Sequence, residues 1–359
     1  MSIHFHKVVV KEVRTETPEC VSVLFDIPEE LKGQFTFKHG QSLTMRTFLN
    51  GEEVRRTYSI CASPLDDELR VAIKRQEGGV FSSFANDQLK SGDVLEVMPP
   101  VGKFYTELNA SNNKNYVAFA AGSGITPVIS IIKTALRTEP NSRFTLVYGN
   151  KNKNSIIFKE ELAGLKDKFI DRFRIIHILS RELTDAPINS GRIDMEKLHD
   201  LTRVIDYNTI DDFFICGPEA MIFCVKAFLE NRKVVSNKIH FELFTTPGEV
   251  KAATHKVQET VKEQGPRSKI SVKLDGIMFD FDLALDGEPI LDAALKQGAD
   301  LPFSCKGGVC CTCKAKLIEG EVNMEVHWGL EEEEIRQGYI LTCQSHPKTQ
   351  RVVVDYDIK

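Results

Sequence analysis

The alternation of apolar and polar positions changes character along the chain. Up to about residue 107, short β-branched runs (VSVLFDI, LTMRTFL, RTYSI, LRVAIK, VLEVM) are separated by Gly, Pro and Asp turns. That pattern predicts an all-β unit, an antiparallel barrel or sandwich. From Tyr116 the rhythm becomes strand, turn, helix. YVAFAAG runs into VISIIKTAL, whose Val128, Ile131, Ile132 and Ala135 fall on one helical face. FTLVYG, FKEELAGLKDKF, FRIIHIL, IDMEKLHDLTR, DDFFICG, EAMIFCVKAFLENR and IHFELF then alternate strand with helix. Such alternation predicts a parallel sheet with helices on both faces.

Residues 245–268, TTPGEVKAATHKVQETVKEQGPRS, contain no aromatic residue and are largely polar, which marks a linker. Beyond it, ISVKL and IMFDFDL flank Asp275-Gly276, the dipeptide suited to a type I′ hairpin turn. The run Pro289 to Gly298 reads as a helix with Pro at its start and Gly just past its end. The expected organisation is therefore multidomain: an antiparallel β-barrel over 1–107, an α/β parallel-sheet domain over 108–244, the linker, and an α+β domain over 269–359.

Composition narrows the partners. The 359 residues carry 46 Lys+Arg against 51 Asp+Glu, a net charge of −5, so there is no cationic field to hold nucleic acid or an anionic membrane. No stretch reaches the ~18 apolar residues of a membrane span. The opening MSIHFHKVVVKEVRTE has only a three-residue apolar run, too short for a signal peptide. Nine cysteines is an odd number, and five lie between Cys305 and Cys343, which suits metal ligation in a cytoplasmic protein better than disulfides.

Three motifs carry chemistry. Cys305, Cys310 and Cys313, followed by Cys343, have the C-x4-C-x2-C…C spacing of a plant-type [2Fe–2S] cluster, and Gly307 and Gly308 let backbone wrap closely around it. Structural zinc is the competitor, but it usually shows two C-x2-C pairs and only one is present. Cys311 lies off the ligand spacing. Gly122-Ser-Gly124-Ile-Thr126-Pro127 stands where a strand gives way to a helix. Its glycines permit close approach by a pyrophosphate, with Thr126 as cap and Pro127 at the first helical position. A plain helix start is the alternative. Cys216-Gly217-Pro218-Glu219 occupies a second strand-to-helix junction, where an open α/β sheet places its ligands. In the first domain, Arg56-Thr57-Tyr58-Ser59 ends a strand, and Gly78-Gly79-Val80-Phe81-Ser82 follows Ile73-Lys74-Arg75. An aromatic ring can stack on a flat heterocycle, while Arg, Lys and a Gly-hydroxyl pair can bind phosphate. In isolation these are ordinary strand and hairpin residues.

Together the motifs identify a resemblance. Residues 1–244 resemble ferredoxin–NADP reductase-like flavoproteins and 269–359 resemble a plant-type, β-grasp-like ferredoxin, a fusion similar to the reductase components of multicomponent oxygenases. The resemblance implies FAD, a [2Fe–2S] cluster and NADPH, with electrons passed to a partner oxygenase. It implies that Arg56, Thr57, Tyr58 and Ser59 bind the flavin, Tyr58 against the ring and Ser59 near its reacting nitrogen. Lys74, Gly79 and Ser82 would serve the flavin phosphates. Gly122, Gly124, Thr126, Pro127, Cys216, Gly217 and Pro218 would serve the nicotinamide nucleotide. Tyr58, Ser59 and Cys216 would stand at hydride transfer, Cys216 not as a nucleophile. Ser180-Arg181 resembles the pair that holds the 2′-phosphate of NADPH, with a helix cap and a surface Arg as the plain alternative. Phe244 resembles the aromatic that covers the flavin in some relatives, and a core Phe is the equal alternative.

Other residues read plainly. Cys20, Cys61 and Cys224 are expected to be inert core thiols. The histidines show no metal spacing. Glu331–Glu334 is expected to be a solvated face, with a docking patch for a basic partner as the sharper reading. The runner-up is a reductase of the same architecture that feeds a ring-hydroxylating, steroid or fatty-acyl oxygenase. A redox sensor or structural subunit is the reading from a different class, and it has no need of all three motifs.

Overall fold

The computed structural model describes residues 4–244, 266–285 and 287–358. Two compact units result, one spanning His6–Phe244 and one containing the cysteine-rich region.

The first unit opens with six strands: β1 (His6–Thr17), β2 (Cys20–Asp26), β3 (Ser42–Leu49), β4 (Glu52–Ser59), β5 (Leu69–Lys74) and β6 (Val94–Val97). They pair antiparallel in the order β4-β3-β6-β1-β2-β5. The sheet closes through a single bridge, Ile60 to Val71, beside a hydrogen bond from the Cys61 N–H to the Arg70 carbonyl. Alternate residues point inward, and Val8, Val10, Val23, Leu43, Met45, Val71, Ile73 and Val97 form the core. The domain is not purely β. The segment that starts within the run read as strand and hairpin residues forms helix α1 (Val80–Asp87), because Phe81 and Ala85 lie one turn apart and both bury themselves in the barrel core.

The same unit continues with a five-stranded, wholly parallel sheet: β7 (Asn115–Ala121), β8 (Arg143–Asn150), β9 (Phe173–Leu179), β10 (Asp212–Gly217) and β11 (Ile239–Leu243). The order is β11-β10-β7-β8-β9, so the direction of winding reverses between β7 and β10. Helices α2 (Ile125–Thr138) and α3 (Lys159–Lys168) pack on the face of Tyr116, Ala118 and Ala120. Helices α4 (Met195–Leu201) and α5 (Glu219–Asn231) pack on the face of Val117 and Phe119. Val128, Ile131, Ile132 and Ala135 are buried as the periodicity predicts. The 107/108 boundary falls between β6 and β7.

The second unit has the hairpin of β12 (Arg267–Leu274) and β13 (Ile277–Ala284), with Asp275 and Gly276 both at positive φ (53° and 75°). Helix α6 (Ile290–Lys296) follows. Next come β14 (Lys314–Glu319), β15 (Val322–Met324), helix α7 (Glu332–Arg336), β16 (Tyr339–Leu341), β17 (Ser345–Pro347) and β18 (Arg351–Asp355). The main sheet runs β13-β12-β18-β14-β16, with its first and last strands side by side and parallel. That central parallel pair, crossed by α6, is the β-grasp arrangement. Residues 245–265 of the expected linker lie outside the described residues, and its last two, Arg267 and Ser268, already belong to β12.

Candidate functional site

Ser59, at the end of β4, donates its hydroxyl to Oε2 of Glu242 on β11 at 3.0 Å. Glu242 stands in register with Cys216 on the adjacent β10. Barrel and sheet thus meet at three residues that are 183 positions apart at the extremes. Burial pushes the Glu242 carboxyl up to about 7, the Ser59 hydrogen bond only partly offsetting it. The Cys216 thiol is 0% exposed. Burial, and then the neighbouring Glu242, push its pKa well above the ordinary range, so it stays a neutral thiol and no nucleophile.

The turn after β7 lies against the same place. Gly122 adopts φ +54°, and its carbonyl accepts the Tyr148 hydroxyl at 3.0 Å. A Cβ on Gly122 would meet only Lys74 Nζ, at 3.6 Å, so this face of the turn is an open cradle with a cation at its rim. A Cβ on Gly124 would stand 2.0 Å from the Cys216 carbonyl oxygen, which makes glycine obligatory there. The helix start differs from expectation. Gly124 is the N-cap and Ile125 the first helical residue, so Pro127 sits third and Thr126 donates to the Ser123 carbonyl at 3.0 Å instead of capping. The first turn still suits Pro, whose missing N–H would have had no partner within the helix.

Tyr58 is half-buried, its ring 5.6 Å from that of Phe81. Arg56, which shares its face of β4, donates to the Arg55 carbonyl at 2.7 Å. The Thr57 hydroxyl faces that of Thr44 at 3.1 Å. Gly79 is the N-cap of α1, and the Ser82 hydroxyl receives the Gln76 N–H at 3.0 Å and donates to the Gly79 carbonyl at 3.2 Å, folding the loop that precedes the helix. Pro218 is the N-cap of α5. Ser180 and Arg181 are exposed at the carboxyl end of β9, Ser180 bonded through its N–H to the Asn150 carbonyl. Phe244 is 40% exposed at the end of β11 and is not a core residue. Gly122, Ser180, Cys216 and Glu242 all lie at carboxyl ends of parallel strands, around the switch between β7 and β10 where open α/β sheets bind ligands.

In the second unit the four thiols singled out by spacing converge. Cys310 Sγ is 3.1 Å from Cys305 Sγ, and Cys343 lies close enough to Cys305 and Cys313 to interact with both. Lys306 (φ +49°) and Gly308 (φ +71°) curl the loop so that the N–H groups of Gly307 and Cys310 point at Cys305 Sγ, at 3.3 and 3.5 Å. Hydrogen bonds from Cys310 and Cys343, reinforced by these amides, hold Cys305 well below the usual thiol range. A Cβ on Gly308 would strike the Val326 carbonyl at 2.6 Å.

Residues 7–105 match the family described as Oxidoreductase FAD-binding domain, 119–227 the Oxidoreductase NAD-binding domain, and 272–348 the 2Fe-2S iron-sulfur cluster binding domain. The chain is 45% identical over 356 residues to the E subunit of 1,2-phenylacetyl-CoA epoxidase from Escherichia coli (strain K12), covering 99% of this chain and 98% of that protein. The chain belongs to the flavin and [2Fe–2S] reductase components of multicomponent oxygenases. Another relative, the ferredoxin reductase component of 3-ketosteroid-9-alpha-monooxygenase from Rhodococcus rhodochrous, is 33% identical over 97% of this chain and 95% of its own. The fold matches that of phthalate dioxygenase reductase, with a TM-score of 0.56, 22% identity and 98% of both chains covered. The residues of this reductase component fit the groups its family carries. The open Gly122 cradle beside Lys74 suits a phosphate-bearing nucleotide, and a sulfur already surrounded by amide donors and thiols suits an iron–sulfur core. Among the described residues no helix is long and apolar enough to cross a membrane.

Sequence reading misses Glu242. In IHFELF it looks like the solvent-facing member of an edge strand, and only the barrel's Ser59 reveals that it is half-buried and bonded across to the barrel. The expectation of one solvated face at Glu331–Glu334 also needs correction. Glu331, Glu332 and Glu333 are exposed, but Glu334 is buried, closing a capping box with Glu331 and pairing with Lys314 Nζ at 3.0 Å. Cys20 and Cys61 are buried, the Cys20 thiol pushed up to about 12 by burial, whereas Cys224 is only half-buried.

Proposed function

We propose that this reductase takes electron pairs from NADPH and delivers single electrons to the oxygenase component of a phenylacetyl-CoA epoxidase. Bound flavin would supply the conversion from two-electron to one-electron chemistry, and the cluster the one-electron outlet. Arg56, Thr57, Tyr58 and Ser59 would seat the flavin ring, with Lys74, Gly79 and Ser82 on its phosphates. Gly122, Gly124, Thr126, Pro127, Cys216, Gly217 and Pro218 would seat the nicotinamide nucleotide, and Phe244 would cover the flavin ring. Cys305, Cys310, Cys313 and Cys343 would hold the cluster.

The single observation that carries the reading is the Ser59–Glu242–Cys216 constellation beside the Gly122–Gly124 turn, which draws barrel and sheet to one crevice. Its carboxyl, close to neutrality, can hold or give up a proton beside Ser59 at working pH. NADPH over NADH is supported by Arg181, exposed and without an ion-pair partner among the described residues. The adjacent Glu182 accepts the Lys153 N–H at 2.7 Å and pairs with Lys153 Nζ at 3.2 Å, which occupies a neighbouring carboxylate that would disfavour a 2′-phosphate. The epoxidase partner is supported by the 45% identity, and by the runs LEVMPPVGKF, GYILTCQSHP and RVVVDYD, which resemble that reductase subunit. The odd cysteine count supports a cytoplasmic setting.

The test is a visible spectrum of the purified protein under exclusion of oxygen, with NADPH and NADH in parallel. Flavin bands and an iron–sulfur shoulder should both bleach, faster with NADPH. Turnover with an epoxidase component should then consume phenylacetyl-CoA. Bleaching of neither chromophore would sink the reductase reading, and bleaching without support of that oxygenase would sink the partner.

A further inference from the structure

Helix α2 carries the Gly122–Gly124 turn at its start, and its apolar face lies on the parallel sheet. Its other face is also covered, but by polar groups. Ser130, Lys133, Thr134 and Arg137 recur at i, i+3, i+4 and i+7, a helical stripe that would ordinarily face water. Here Ser130 is wholly buried and Thr134 nearly so. Their partners are Ala62–Asp66, a segment that begins three residues after Ser59.

Ser130 donates its hydroxyl to the Ala62 carbonyl at 2.5 Å. The Ser63 and Thr134 hydroxyls meet at 2.8 Å, and Thr134 in turn donates to the Ser130 carbonyl at 2.6 Å. Asp66 receives Lys133 Nζ at 2.5 Å, the Ser63 N–H at 2.8 Å and one arm of the Arg137 guanidinium. The other arm of Arg137 donates to the Leu65 carbonyl at 2.7 Å. From the far side, Glu161 of α3 holds Lys133 at 2.8 Å. Burial raises the Asp66 carboxyl, but Lys133, Ser63 and Arg137 outweigh it and hold the group below its ordinary value, so it is ionised at neutral pH.

An apolar contact between helix and barrel would tolerate sliding, because dispersion is non-directional. Hydrogen bonds lengthened or bent by a fraction of an ångström lose their strength, and a buried charge that loses its partner is costly. We propose that this polar clamp is a positioning device: it fixes the strand carrying the flavin motif against the helix carrying the nucleotide turn, and so sets the distance between hydride donor and acceptor. Asp66 and Ser130 are then positioning residues that touch neither cofactor. The inference rests on the reductase reading given above.

The test uses the full-length holoprotein with Asp66→Asn and Ser130→Ala, and Glu161→Gln as control. The control loosens the same Lys133 from α3 without touching the barrel. Four quantities are measured under exclusion of oxygen: the nucleotide dissociation constant, the limiting rate of flavin reduction, the long-wavelength charge-transfer absorbance of stacked nicotinamide and flavin, and the melting temperature. Both clamp variants should lower the limiting rate by roughly tenfold or more, the scale expected from a small misplacement of reacting atoms. They should weaken the charge-transfer band while the dissociation constant changes by less than about twofold. Glu161→Gln should leave rate and band unchanged. A lower melting temperature with rate and band intact would reduce the clamp to a structural contact and overturn the proposal. A rate loss explained by weaker nucleotide binding would overturn it too. If Asp66→Asn does not fold, Ser130→Ala, which removes one hydroxyl, decides the matter. Failure of the wild-type protein to reduce its flavin would instead overturn the reductase reading, and needs no variant to be seen.

Discussion

At the cysteine loop, three of the four converging thiols come from nine consecutive residues, Cys305–Cys313, whereas the crevice beside Ser59 draws on residues from Arg56 to Phe244 and on two differently built sheets. The loop's geometry is written into local backbone: two left-handed residues and two amides aimed at one sulfur. The crevice has no local code of that kind. Its three central residues meet only because β4 ends where β10 and β11 end. A local site should therefore fail alone when damaged, and an assembled one should fail with the placement of its parts.

The sharpest way to break the comparison is Cys310→Ser. Loss of one thiolate should abolish the cluster's absorbance while nucleotide-driven flavin bleaching survives, both read from one spectrum. Loss of both in a folded protein would mean the two sites are not independently built. Next comes Gly124→Ala, which forces a methyl group onto the Cys216 carbonyl. Flavin reduction should fall by roughly 10²-fold in rapid mixing, with the cluster spectrum unchanged. Arg181→Ala should raise KM for NADPH on the order of tenfold and leave that for NADH nearly unaltered in steady-state assays. Equal effects on both would remove Arg181 from phosphate recognition.

The smallest expected effect is one of pH. The fold holds Glu242 protonated up to about 7, against an ordinary value of 4.5. Between those values the unfolded chain releases a proton that the native state keeps. The carboxyl's stabilising contribution is therefore whole below 4.5 and lost as pH rises through 7. Glu242→Gln should flatten the fall in melting temperature across that window, by an amount on the order of 2 kcal/mol of stability. An unchanged slope would place the carboxyl in water.

Much of the architecture is legible because its signals are local. The Asp275-Gly276 turn and the apolar face of α2 need only a few adjacent residues. What escapes depends on what lies opposite. Val80–Asp87 is too short to show helical periodicity against its Gly-rich flank, and it folds because the barrel offers Phe81 a hole. Thr126 and Pro127 stand in the expected turn but at other positions of it, since one 3-10 turn at Gly122–Gly124 shifts the helix start. Ser130 and Thr134 look like solvent-facing residues until Ala62 and Ser63 are placed against them.

The barrel's closure has a consequence for how the protein is loaded. β1 and β2 are laced along nearly their whole length, but the seam between β4 and β5 is held by the Ile60–Val71 bridge and its neighbouring hydrogen bond. A seam with so few rungs opens at far lower free energy than the rest of the ladder. The strands that part there are the two that end in Ser59 and Lys74, so opening of the seam would loosen the barrel beside both residues. With the flavin seated as proposed above, folding of the chain and arrival of its chromophore would be separable events, the cage finished first and filled afterwards.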